Sequence, residues 1–169
     1  RLQPLKRKAV LAIALLTLGA LGTPLLTPHV HALQLQQRSL SVSDVAVGAT
    51  ANHSFKFSYM STASPVGSVM FEYCKSPLVD LPCDAPDGMN AGGAVLADQQ
   101  GETNFFVLTA QTNRIILTRP PAPPTNNPSV YTFSGVNNPT GAAGTFYVRI
   151  TTYLSTDGTG AYTDFGAVV

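Results

Sequence analysis

Residues 66–89, V-G-S-V-M-F-E-Y-C-K-S-P-L-V-D-L-P-C-D-A-P-D-G-M, constrain the fold more than any other stretch. Val69, Phe71 and Tyr73 alternate with Met70, Glu72 and Cys74. That period predicts a β-strand over 68–74 with the two sets on opposite faces. The strand runs into a loop bounded by Cys74 and Cys83, the two cysteines of the chain. Eight residues lie between them, and Pro77 and Pro82 stiffen the path, so a Cys74–Cys83 disulfide is predicted. Closing such a loop stabilises a fold by about 2.7 kcal/mol in the chain-entropy treatment. The spacing is not the C-x-x-C of redox sites, and Cys and His are too few for a zinc site.

A disulfide requires an oxidising compartment, and the N-terminus reads as the route to one. Lys6, Arg7 and Lys8 precede an apolar run over 9–21, and Val30 and Ala32 supply the small residues of a cleavage site. We read 1–32 as a secretory signal peptide, cleaved after Ala32 so that the mature chain begins at Leu33. A retained membrane anchor is the alternative. Gly19, Gly22, Pro24 and Pro28 interrupt it, and a spanning helix needs about 20 apolar residues. Removing the segment takes away four of ten basic residues and none of nine acidic ones, leaving a net charge of −3. No basic patch remains to hold a polyanion, so no nucleic-acid partner is expected.

Beyond residue 33 the helical period disappears. L-S-V at 40–42 alternates, Asp44 breaks the phase, and V-A-V at 45–47 resumes on the opposite parity, as if across a bulge. Phe55, Phe57 and Tyr59 alternate with polar residues, and further strand segments fall at 94–97, 104–108, 114–119 and 129–136. The strongest runs over 145–153, with Phe146, Val148 and Ile150 inward, and D-G-T-G at 157–160 signals a hairpin turn. Five of the nine residues in 120–128 are proline, which argues for a loop crossing between sheets. Short strands without helices, with 27 Gly and Pro and only 11% charged residues, predict an all-β antiparallel sandwich, immunoglobulin-like or else a jelly roll. We expect one sandwich domain over 33–169. The chain begins at Arg1 and ends in a β-like run, which we read as a fragment of a longer protein.

Several segments together carry a resemblance: R-S-L-S-V-S at 38–43, F-K-F-S-Y at 55–59, V-M-F-E-Y-C at 69–74, A-P-D-G-M at 85–89, N-R-I-I-L-T-R at 113–119, Y-T-F-S-G-V-N-N-P at 131–139 and F-Y-V-R-I-T-T-Y at 146–153. The chain resembles secreted β-rich surface proteins of Saccharibacteria and related candidate-phyla bacteria. The resemblance implies surface exposure and a β-rich domain, and transfers no catalytic residue.

Residues with chemistry are few. His53 is the one histidine of the mature chain. It would serve as a base with Asp44 and a serine, but no G-x-S-x-G elbow accompanies it and an exposed turn histidine is the plainer reading. Asp80, Asp84, Asp87 and Asn90 offer hard oxygen ligands for Ca²⁺, though not in EF-hand spacing, against the plainer reading of a solvated acidic turn. Tyr147 and Tyr153 share a parity opposite to Phe146, Val148 and Ile150, so they are candidates for an exposed sugar-stacking face. We therefore expect no catalytic residue and no obligatory cofactor. The reading is a non-catalytic structural or adhesive module at the cell surface, with a protein or glycan partner. Membrane contact is expected only through the signal segment or a C-terminal anchor beyond residue 169. A carbohydrate-binding domain, Ca²⁺-assisted or not, is the second reading.

Overall fold

In a computed structural model, residues 33–141 and 144–169 are described; the expected signal segment and its cleavage site lie outside them. The strands are β1 Leu33–Gln34, β2 Gln36–Val42, β3 Thr50–Ser58, β4 Val66–Cys74 and β5 Val95–Gln100, then β6 Phe106–Gln111, β7 Arg114–Ala122, β8 Ser129–Asn137, β9 Tyr147–Tyr153 and β10 Tyr162–Val168. One sheet has the order β1-β10-β9-β4-β7-β6 and the other β2-β3-β8-β5. They pack face to face as a β-sandwich. In chain order the four-stranded sheet follows the immunoglobulin arrangement A-B-E-D, and β10-β9-β4 follows G-F-C. The β6–β7 hairpin is an addition beside the C-equivalent strand. It is inserted after β5, which sits where D would.

Alternation places the core. Phe55 and Phe57 of β3, Val69 and Phe71 of β4, Tyr131 and Phe133 of β8, and Ile150 of β9 are all fully buried between the sheets. Phe71 is the hub, with ring centroids 4.7 Å from Phe55, 5.1 Å from Phe133 and 6.1 Å from Tyr131. Cys74 and Cys83 form the predicted disulfide, their Cα atoms 5.2 Å apart.

Four segments differ from their sequence expectation. Residues 45–47 are not a strand. Asp44 Oδ1 accepts the Ala46 amide and turns the chain, and Val45 and Val47 end up 85% and 68% exposed. Strand β7 continues through Pro120 and Pro121 to Ala122. The prolines are tolerated because β6 pairs with β7 only as far as Thr118 and a bulge opposite Gly67 releases their positions from β4. Residues 123–128 then cross from one sheet to the other. Phe146 precedes β9 and is only half-buried, whereas Val148 and Ile150 join the core as expected. Finally, β1 pairs with β10 in parallel, because the chain leaves the larger sheet at Leu35 and enters the smaller one as β2.

Both flanks of the sandwich are fastened. On one, buried Leu35 links β1 to β2, its amide bonded to the Phe165 carbonyl. On the other, the Gln99 side chain exchanges two hydrogen bonds with the backbone of Phe105, at 3.1 and 3.0 Å. The guanidinium of Arg119 lies 4.5 Å over the Phe105 ring and 2.7 Å from Glu102.

Candidate functional site

His53 sits two residues before Phe55 on β3 and therefore shares its inward face. It is 4% exposed, not the surface turn residue its N-H-S context suggests. Opposite it, on β4, stands Tyr73. Beyond it, in the turn after β8, stands Asn138. The amide nitrogen of Asn138 donates to the carbonyls of Asp44 and Ala46, at 2.7 and 3.0 Å. Its oxygen therefore faces the ring and accepts His53 Nε2–H at 3.0 Å. Nδ1 then carries no proton and accepts the Tyr73 hydroxyl at 3.1 Å. Both ring nitrogens are occupied. Burial lowers the His53 pKa below its ordinary value, and the Asn138 bond only partly opposes this. Burial likewise drives the Tyr73 phenol far above its usual range. The chain of polar groups is neutral and satisfied internally.

Around this floor opens an apolar cleft of about 460 Å³ at one end of the sandwich. Leu40, Val42, Met89, Phe146 and Val148 line it, and Val45 and Val47 stand at its rim. Asn138 couples the floor to that rim, since its two bonds hold the loop carrying both valines.

The depressed His53 pKa makes a testable stability difference. The unfolded chain takes up the proton first as pH falls, so folding loses stability below the unfolded value near 6.5 until the folded pKa is passed. Urea midpoints at pH 7.5, 6.5 and 5.5 should fall with pH in the unsubstituted protein. His53→Gln should remove that part of the slope. Parallel slopes in the two proteins would contradict the buried neutral ring.

The other sequence candidates are dispersed. Lys75 Nζ lies 3.4 Å from Asp84 and 3.0 Å from Asp87, Asp80 accepts the Tyr162 hydroxyl at 3.1 Å, and Asn90 Oδ1 accepts the Gly92 amide. Among the described residues the three aspartates form no common ligand set. Glu72 does approach Cys74 and Cys83, but the two sulfurs are bonded to each other. The Asp44 carbonyl accepts the Asn138 amide, while its carboxylate caps Ala46. Tyr147 is half-buried and Tyr153 is 7% exposed, so the two do not form a shared exposed face. The outward side of β9 is covered instead. Arg149, of the same parity, is buried under the disulfide loop and donates to the carbonyls of Ser76 and Leu81, at 2.9 and 2.6 Å.

Sequence reasoning missed the His53–Tyr73–Asn138 chain, although half its signal was present. Extending the Phe55/Phe57 parity two residues upstream places His53 on the face that meets Tyr73. Asn138 carried no such signal, because a turn has no parity.

No family model matches the chain, and no curated protein matches it. Among solved structures, a chain of the CaDoc0917–CaCohA2 complex crystallised at pH 5.5 is similar at 17% identity, over 78% of this chain and 97% of its own, with a TM-score of 0.31. A likeness of that size carries no argument about function. Among the described residues no helix is long and apolar enough to cross a membrane.

Proposed function

We propose that the chain is a non-catalytic, exported binding module that adheres to a protein partner through the apolar cleft at its His53 end. One observation carries this reading: the histidine in the cleft floor has both ring nitrogens engaged by neighbouring side chains. A general base needs a nitrogen free to take a substrate proton. A sugar site needs polar groups left over for hydroxyls. Here the polar atoms of the floor answer one another and the lining is mostly apolar, which suits an apolar side chain, whose burial is worth roughly 25 cal/mol per Å². Export rests on the basic and apolar N-terminal run and is compatible with the disulfide. The carbohydrate reading lacks the tyrosine face it was built on.

Val45→Asp combined with Val47→Asp tests the proposal, since both residues are exposed and lie outside the core. On arrays of extracellular proteins and glycans, saturable protein binding should weaken by about tenfold or more in the double variant, about 1.4 kcal/mol. Its unfolding temperature should stay unchanged. Binding confined to glycans and indifferent to the substitutions would favour the carbohydrate reading. Turnover of an ester, glycoside or peptide, abolished by His53→Ala, would overturn both.

A further inference from the structure

Asp164 on β10 is fully buried. Its Oδ1 accepts the Ser61 amide at 3.2 Å, but Oδ2 has no hydrogen-bond partner among the described residues. A buried carboxylate left half-paired is costly, and proteins supply such groups with a cation or a donor. Burial pushes its pKa above the ordinary aspartate value, although the Ser61 amide, the Thr152 hydroxyl and the Met60 amide act the other way. Each arginine of the described residues has a hydrogen-bond partner other than Asp164: Arg38 donates to the Leu35 carbonyl and lies against Gly166 of β10, Arg114 donates to Gln111, Arg119 to Glu102, and Arg149 to the disulfide loop. Lys75 is held by Asp84 and Asp87. Lys56 belongs to the exposed face of β3.

The register of the parallel β1–β10 pair sets Leu33 directly beside Asp164. Neighbouring strands lie about 4.8 Å apart, so the backbone nitrogen of Leu33 belongs to the ladder position next to Asp164. In the uncut chain that nitrogen is a peptide amide. We propose that cleavage after Ala32 completes the fold, because the α-ammonium it creates on Leu33 becomes the ion-pair partner of Asp164. The inference rests on the export reading above. A signal peptidase hydrolyses the Ala32–Leu33 bond with one water, leaving a carboxylate on Ala32 and an amine on Leu33. That amine, with an ordinary pKa of about 7.7–8.0, takes up a proton near neutral pH. The pair then holds β1 on β10 where the chain crosses to the four-stranded sheet.

The test uses the full chain and the form secreted by cells expressing it. N-terminal sequencing of the secreted form should give Leu33; another first residue overturns the proposal together with the processing it needs. The α-amine is then methylated reductively under limiting reagent, with Lys56 as the exposed internal reference. Its reactivity relative to Lys56 should rise about tenfold or more in Asp164→Asn, about 1.4 kcal/mol of lost protection. The same substitution should lower the unfolding temperature of the secreted form and leave that of the full chain unchanged or raised. Equal reactivity with and without Asp164, or equal stability changes in both forms, overturns the pairing while leaving the export reading intact. Destabilisation of the full chain alone also overturns it, since the partner would then be supplied by the uncut segment. Should Asp164→Asn not fold, acetylation of the α-amine in the unsubstituted secreted protein must lower its unfolding temperature, and no change counts against the pair.

Discussion

Glu102→Ala is expected to destabilise the protein by about 3–5 kcal/mol, the cost of leaving a buried cation without its counter-charge. Glu102 and Arg119 are 5% and 6% exposed at their side chains and 2.7 Å apart. Glu102 also accepts the amides of Thr125 and Asn126, each at 2.6 Å, so one carboxylate fastens the whole crossing between β7 and β8. Arg119 donates further to the carbonyls of Val66, Thr103 and Ala122. Burial by itself raises the Glu102 pKa, but the two amides and the guanidinium outweigh it and hold the folded value below the ordinary one. The contribution is therefore present above the unfolded pKa of about 4.5 and is lost as pH falls through the folded pKa. Urea unfolding at pH 7 measures the effect. Replacing both partners, as Glu102→Gln with Arg119→Met, should cost less than Glu102→Ala, because no charge is then stranded. A loss under about 1 kcal/mol for Glu102→Ala would show that the pair is hydrated rather than buried.

Phe71→Ala is expected to cost about 3–5 kcal/mol, the range for removing a buried aromatic ring and leaving part of its cavity open. Four residues of the opposite sheet, Phe55, Phe57, Tyr131 and Phe133, pack edge-on or tilted against this ring. The sandwich thus loses its inter-sheet contact at its centre. Phe106→Ala is the control. That ring is 57% exposed on the edge strand β6, and its loss should stay within about 0.5 kcal/mol. Calorimetric or urea midpoints of the two variants decide the matter. Comparable losses at both positions would mean that Phe71 is not the hub.

The period-two patterns of 55–59, 68–74 and 145–153 sufficed to place strands β3, β4 and β9 and to separate the two faces of each, because a strand's side chains alternate whatever lies opposite. The short cysteine spacing was enough to predict the disulfide, since its two ends stay close in any compact fold. Parity alone does not say which side of a strand solvent reaches. Tyr153 and Arg149 lie on the non-core side of β9 and are nevertheless buried, Arg149 because the loop closed by Cys74–Cys83 folds back over it. Turn chemistry overrode pattern at Asp44, whose carboxylate caps Ala46 and turns an apparently alternating V-A-V into a rim loop. The cleft floor joins residues 53, 73 and 138, and the Arg119–Glu102 pair spans sixteen intervening positions. Strand order and register brought these groups together, and no local period encodes either. The tertiary structure alone paired Leu33 with Asp164, because a parallel ladder between two strands far apart in the chain leaves no trace in either segment's sequence.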